Sequence, residues 1–486
     1  MKILFVIPRS KTMFGETSEK KGISGHPHVG IASLIAFLRK NSPKTEIKVF
    51  DEQMDDFLQL KTLIKSFKPD LIGITCFSYN YQYFYDLILK IKKITKALIV
   101  LGGPHVSALK KEVLKETRAD LAIKSEGELS LLELLKELED KKPDLKRIKG
   151  LIWRQKGKVI ENEDRELIKD LDSLPFPDYY AFSIERYPCY FIKALPLMTS
   201  RGCPYGCNYC SVRFSMGQGF RPRSPENVLK EIQYWYQKGW KNFDINDDCF
   251  TLDLKRAEKI CDLIVKNKLE IKFQLYNGIR VDRISLKLLK KLKKAGCTFI
   301  AYGCESGNQQ VLEAIGKGIK LKQVREAVDW SNKASIKNAV NFIIGHPTET
   351  YAQALETITF AKSLRTNFVN FYNLVPYPGT ESFNWAKKHA HFLYPIETFL
   401  RDISYRDNLP VFETSDFTKE QRQDIIKKGF SLYERKVLIF RLGPIIGLTV
   451  YLLTRSKMIN KVVFNFALSN KFGNRIYQLF SAKSRN

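Results

Sequence analysis

The chain has 486 residues, 44% hydrophobic and 27% charged, which excludes a disordered or fibrous protein and leaves room for about three domains. Lys and Arg number 80 against 52 Asp and Glu, a formal net charge of +28. That excess calls for an anionic partner (nucleic acid, an anionic membrane surface, or phosphorylated or carboxylated substrates), with a solvated Lys-rich surface as the plain alternative. Nine cysteines, an odd number mostly set in apolar stretches, exclude a secreted disulfide framework.

The apolar start at residues 1–8 is too short for a signal peptide and reads as a first strand, so a cytosolic protein is expected. Residues 1–140 alternate apolar runs at 2–8, 46–50, 71–75, 98–101 and 121–123 with helix-length segments such as 31–40, 81–93 and 109–116. That alternation predicts a doubly wound, Rossmann-like parallel sheet, with ligands beyond the carboxyl ends of its strands. Ser78, Gly102, Gly103, Glu126 and Gly127 fall there.

Residues 141–190 carry turn signals and read as a hairpin and linker. From 191 to 385 the α/β alternation resumes. Strands are expected at 195–199, 242–245, 272–275, 299–302, 338–344 and 367–374, with helices at 225–237, 254–267, 285–295, 322–334 and 351–364. Six such repeats predict a partial TIM-type (β/α)6 barrel with chemistry at the carboxyl ends of its strands. Residues 386–486 lose the alternation and read as a helical, basic region.

Directly after the first barrel strand, Cys203-Pro204-Tyr205-Gly206-Cys207-Asn208-Tyr209-Cys210 spells C-x3-C-x2-C. Thiolates are the usual ligands of iron–sulfur clusters, and three of them leave one iron of a 4Fe–4S cluster open to substrate or cofactor. A structural zinc site normally takes four ligands, and the loop supplies no fourth; Cys249 is the nearest candidate downstream and Cys189 upstream.

On these residues the chain resembles the cobalamin-binding-domain radical S-adenosylmethionine (SAM) proteins over roughly residues 1–385. The resemblance implies an enzyme of anaerobic metabolism. Its cluster, held by Cys203, Cys207 and Cys210, binds SAM at the open iron and cleaves it to methionine and a 5′-deoxyadenosyl radical. It also implies a ferredoxin- or flavodoxin-like reductant. Matched position by position, Tyr209 lies against the adenine, and Asp247 and Asp248 stand near the SAM amino group, with a helix N-cap as their other reading. Arg280 meets the SAM carboxylate and Glu305 the ribose or amino acid moiety, with structural salt bridges as the alternative for both. The loops at 345–350 and 376–380 follow the family pattern and read as loop-shaping.

The same resemblance makes the first domain a cobalamin site and methyl transfer to a substrate carbon the expected reaction, although relatives also include ring-forming and oxidative enzymes. The Asp-x-His-x-x-Gly loop that supplies a lower cobalt ligand in many such domains does not occur here. His105 is a candidate ligand, with a hydrogen-bonded loop histidine as the ordinary reading. A methylthiotransferase acting on RNA is the competing enzyme. A nucleic-acid partner is nonetheless not expected, because the first 180 residues hold only Cys76 and no β-barrel RNA module follows. A non-enzymatic electron or corrinoid carrier would leave the open cluster site without purpose.

The tail from residue 431 carries ten Lys/Arg and one acid, Glu434. Its uncharged stretch, 442–453, is twelve residues, short of the ~20 that cross a bilayer. Basic residues interleaved with aromatics suit a peripheral membrane contact and a small or lipid-like substrate; a helical cap on the barrel is the alternative.

Overall fold

The computed structural model describes residues 1–9, 25–396, 399, 409–453 and 455. Seven strands build a first sheet in the order β2-β1-β3-β4-β5-β6-β7: β1 (Lys2–Ile7), β2 (Glu46–Asp51), β3 (Leu71–Thr75), β4 (Leu98–Gly102), β5 (Leu121–Ile123), β6 (Leu151–Gln155) and β7 (Lys158–Glu161). The first five run parallel, as expected. Residues 3–7 of β1 and all of β3 are buried, the signature of parallel strands covered by helices on both faces.

The hairpin expected within the linker joins this sheet. Strand β6 pairs antiparallel to β5, with Leu121 opposite Trp153, and β7 follows through a tight turn whose Lys156 and Gly157 both have positive φ. The helix expected at 109–116 is two shorter ones, Pro104–Leu109 and Glu112–Glu116, interrupted at Lys110 with φ 53°.

The second sheet has six parallel strands in the order β15-β14-β13-β12-β11-β8: β8 (Ala194–Leu197), β11 (Asn242–Ile245), β12 (Lys272–Ile279), β13 (Cys297–Glu305), β14 (Lys337–Ile344) and β15 (Phe368–Asn373). The short strands β9 (Ser200–Arg201) and β10 (Arg221–Pro222) pair antiparallel beside it and bracket the cysteine loop. Strands β12 and β13 run further than their apolar runs suggested, because register shifts near Leu275–Ile279 and Gly303–Glu305 carry the chain on into the polar ends.

After the barrel the chain is not wholly helical. The ribbon β16 (His391–Phe392) with β17 (Phe412–Glu413) comes first, and Phe399, Val411 and Phe412 join the apolar core on one face of the first sheet. The helix Lys419–Leu442 follows, opened by a Thr418/Gln421 capping box and packed along β15 and the helix Tyr351–Ser363. Gly443 (φ 81°) ends it and Pro444 starts the helix Pro444–Leu453. No helix among the described residues is long and apolar enough to cross a membrane. Residues 456–486, with the aromatics Phe464, Phe466, Phe472, Tyr477 and Phe480 of the tail reading, lie outside the described residues.

Candidate active site at the facing ends of two sheets

The cysteine loop leaves the end of β8 through Gly202, whose φ is +82° and whose Cα faces the Gly219, Met216 and Gly217 carbonyls with no room for a Cβ. The loop closes on itself, Cys210 N–H donating to the Cys207 carbonyl at 3.1 Å, and Asn208 N–H ties it to the Ile315 carbonyl. The thiols of Cys203, Cys207 and Cys210 come close enough to feel one another electrostatically, and burial raises the Cys210 thiol to about 11. The Cys207 thiol points at the Gly316 carbonyl, 3.9 Å away.

The structure brings a fourth cysteine here. Cys249, just past β11, places its thiol against Cys203; its hydrogen bond holds the Cys203 thiol down and Cys249 correspondingly up.

Asp247 and Asp248, just past the end of β11, bond to successive parts of the segment that leads into the cysteine loop. Asp247 is enclosed: it accepts from Thr199 N–H (2.5 Å), Thr199 Oγ1 (2.5 Å) and Ser200 Oγ (2.6 Å), latching the end of β8 to that of β11. Asp248 takes the Gly202 N–H at 2.9 Å on Oδ2, and burial raises its pKa to about 6. Neither caps the next helix, Leu254–Lys266, whose N-cap is Asp253.

Across the loop, Glu305 has φ 75° at the end of β13, and its Oε1 accepts from Lys317 Nζ at 2.8 Å with both side chains buried. Lys317 Nζ also stands 3.4 Å from Tyr209 Oη, and its charge reaches Cys207 and Arg280. Arg280 stacks on Tyr205, 3.5 Å from the ring centroid, and is held by Asp282 at 2.9 and 3.3 Å. The salt-bridge alternatives for Glu305 and Arg280 thus both describe contacts present here. Two buried cations beside three thiolates fit an anionic iron–sulfur cluster and a carboxylate-bearing cofactor.

The His346 ring lies 5.4 Å from that of Tyr209, and neither of its nitrogens meets a partner at hydrogen-bonding geometry among the described residues. Burial, with the nearby Lys317 and Arg422 charges, lowers its pKa to about 3, so the ring is neutral. Its loop is fixed from behind. Glu349 Oε2 accepts the Gly345 and His346 N–H groups at 2.5 and 3.1 Å, while the buried Arg422, from the helix Lys419–Leu442, lies under Gly345 between Phe412 and Phe417. Lys317 and Arg422 were missed by the sequence reading. The signal for Lys317 was its place between Gly316 and Gly318, both at positive φ.

The first sheet's ligand end meets this site. Arg201 on β9 donates to Glu126 and Glu128, each at 2.7 Å, and Arg221 on β10 grips both Glu126 oxygens at 2.9 Å. The Ile168 N–H adds a further bond to Glu126. The Glu126 carboxylate is therefore engaged in joining the two sheets. Gly127 backs onto Leu34, and Gly103 (φ 103°) lies against the Cys76 backbone. A Cβ at Gly102 would meet nothing within 4 Å, so the carboxyl end of β4 is open there. His105 is buried with Nδ1 3.1 Å from Ser78 Oγ and Nε2 3.3 Å from Tyr85 Oη. Both nitrogens are taken, as in the hydrogen-bonded loop reading, and Ser78 is its partner.

A doubly wound sheet ion-paired to the cysteine loop of a six-stranded partial barrel defines a two-domain α/β protein with its thiol site at the joint. Comparison with known proteins agrees: residues 24–135 match the B12 binding domain and residues 197–361 the radical SAM superfamily. The chain is 33% identical over 446 residues to the uncharacterized methyltransferase PH0819 of Pyrococcus horikoshii, covering 90% of this chain and 94% of that one. It is 26% identical to the anaerobic magnesium-protoporphyrin IX monomethyl ester cyclase of Cereibacter sphaeroides, over 90% of this chain and 71% of the relative. Among solved structures, the cobalamin-dependent S-adenosylmethionine radical enzyme OxsB, with aqua-cobalamin and SAM bound, superposes with a TM-score of 0.67 at 20% identity, over 99% of this chain and 74% of OxsB. The chain belongs to the cobalamin-dependent radical SAM family, and its cofactors are a 4Fe–4S cluster, SAM and cobalamin.

Proposed function

We propose that the protein is a methyltransferase acting on an unactivated carbon of a small or lipid-like substrate, with a ferredoxin- or flavodoxin-like donor supplying electrons. The observation that carries this reading is the direct bonding of Glu126 and Glu128 to Arg201 and Arg221, which brackets the cysteine loop beneath the carboxyl ends of the first sheet. A methyl donor bound on that sheet and a radical generator bound at the thiols would then be held on either side of this one joint. When bound, the cofactors supply a substrate-directed radical and a methyl group, with a second SAM restoring the methyl donor.

In this reading Cys203, Cys207 and Cys210 hold the cluster, and Cys249 lies behind Cys203. Asp248, with one oxygen uncommitted to the Gly202 N–H, takes the SAM ammonium, while Asp247 keeps the two strand ends in register. Arg280, swinging from Asp282, or Lys317 beside it, meets the SAM carboxylate. Tyr209 and the neutral His346 flank the adenosyl group and keep water from the reacting atoms. The 26% identity to a cyclase supports a second reading, ring formation, on the same machinery.

The test is anaerobic reconstitution with iron, sulfide, cobalamin, reductant and excess SAM. Methyl transfer predicts both 5′-deoxyadenosine and S-adenosylhomocysteine among the products; the first without the second favours ring formation. SAM cleavage that survives Cys207→Ala, or a protein that takes up no corrinoid, overturns the assignment.

A further inference from the structure

The helix Pro444–Leu453 presents an apolar face outward. Ile445 is 80% exposed, Ile446 60%, Leu452 60% and Leu453 45%, and Thr449 is exposed among them. At about 100° per residue these five positions fall within an arc of about 120°. The opposite side is fixed on the preceding helix. Gly447 sits so close to Leu438 and Ile439 that a Cβ would come within 2.6 Å of their backbone, and Tyr451 Oη shares a 2.5 Å hydrogen bond with Ser431. The apolar stripe is thus held outward by packing.

Its surroundings are cationic. Residues 442–453 carry no charge, and exposed Arg441 immediately precedes them, with exposed Arg435 on the preceding helix. The sole acid from residue 431 onward, Glu434, is neutralised by Arg455 at 3.2 Å. Residues 456–486 add six Lys/Arg and no acid. A second copy of the chain would bring its own +28 to this face and be repelled. Aliphatic side chains ringed by cations instead match an anionic bilayer, whose acyl boundary takes the former and whose headgroups take the latter. A ten-residue helix, about 15 Å long, lies in such an interface and does not span it.

We propose that the face formed by Ile445, Ile446, Leu452 and Leu453 docks the enzyme peripherally on anionic phospholipid membranes. Arg422, near the start of the preceding helix, belongs to the active site, whereas Leu438 and Ile439, beneath the docking helix, lie some 16 residues further along, about 24 Å away. Docking through this face therefore leaves the active-site end clear of the lipid contact.

The experiment is co-sedimentation of the full chain with vesicles of phosphatidylcholine containing about 30% phosphatidylglycerol, and with phosphatidylcholine alone, at ~0.1 M and ~0.5 M NaCl. The expected result is binding to the anionic vesicles, reduced at high salt, and weakened at least ~10-fold by the pair Ile445→Glu/Leu452→Glu. Both sites are exposed, so the melting temperature of that variant should match the parent, separating lost docking from lost folding. Failure to sediment with anionic vesicles, or equal binding by the double variant, overturns the proposal. So does a dimer seen by light scattering that the double variant dissociates, which would make the face a self-association surface. Binding that emerges only on removal of residues 456–486 would make the chain's own tail the occupant.

Discussion

Lys317 Nζ stands 2.8 Å from Glu305 Oε1, a buried ion pair with the Tyr209 hydroxyl at its edge and the cysteine loop beside it. Burial opposes the Lys317 charge, yet Glu305 and the Cys207 thiol outweigh it and hold the ammonium in its charged form. Breaking such a pair leaves one buried charge uncompensated, which costs more than the pair contributes. Lys317→Met should destabilise the apoprotein by on the order of 3 kcal/mol in anaerobic urea unfolding. Lys317→Met with Glu305→Gln should recover most of that loss, while SAM cleavage falls in both. Equal destabilisation of the single and double variants would show that the pair is not coupled.

The two acids at the end of β11 predict different phenotypes. Asp247 accepts three hydrogen bonds that join strand ends, so Asp247→Asn should lower the melting temperature and cluster occupancy together. Asp248 accepts one, and Asp248→Asn should leave folding near the parent while weakening SAM binding. Burial raises the Asp248 pKa to about 6, so the carboxylate that attracts an ammonium is present above that pH and lost below it. SAM affinity, measured by equilibrium dialysis of the reconstituted protein, should be flat above pH ~7 and fall up to ~10-fold per unit below pH ~6. The Asn variant should bind more weakly with a flatter profile.

Much of this was legible in the sequence. The parallel strands of both sheets stand out because burial on two faces demands uninterrupted apolar runs, and the cysteine spacing is local in the chain. Features that rest on distant partners did not stand out. The hairpin at 151–161 was legible as a hairpin, but its place in the first sheet was not, because nothing in its own residues names β5 as its neighbour. Asp247 and Asp248 looked equivalent because sequence does not say which of two adjacent strand-end residues faces the loop. Arg422 meets Gly345 from 77 residues away, so the support it gives to the His346 loop belongs to tertiary packing alone. The extension of β13 to Glu305 depends on a register shift that no apolar pattern encodes.

Cys249 offers a thiol to Cys203, and its role separates cleanly from ligation. If three thiolates hold the cluster, Cys249→Ala should retain about four irons per chain and the ultraviolet–visible absorbance of a 4Fe–4S centre, with SAM cleavage reduced no more than a few-fold. Cys203→Ala should lose both. A cluster that falls to the same degree in the two variants would make Cys249 a fourth ligand, close the open iron, and remove the basis for SAM binding there.

The joint between the sheets should be the most sensitive link between the two cofactors. Glu126 accepts from Arg201 at 2.7 Å and from Arg221 at 2.9 Å, Glu128 takes the other arm of Arg201, and all four side chains are largely buried. Charge-assisted pairs out of water are strong when complete and costly when one member is missing. Glu126→Ala should destabilise the protein by roughly 3–5 kcal/mol, with the loss localised to the joint if the two sheets are individually sound. Hydrogen exchange followed by mass spectrometry is the appropriate measurement. Amides at 200–202 and those of Arg221 and Arg223 should exchange faster in the variant, while those of β3 and β14 in the two sheet interiors keep their protection. Cobalamin and cluster should each still bind, yet S-adenosylhomocysteine formation should drop further than 5′-deoxyadenosine formation, because radical generation needs only the barrel and methyl transfer needs both ends held face to face. If the two products fall in parallel, Glu126 supports the barrel alone and the facing of the two cofactor sites does not depend on this joint.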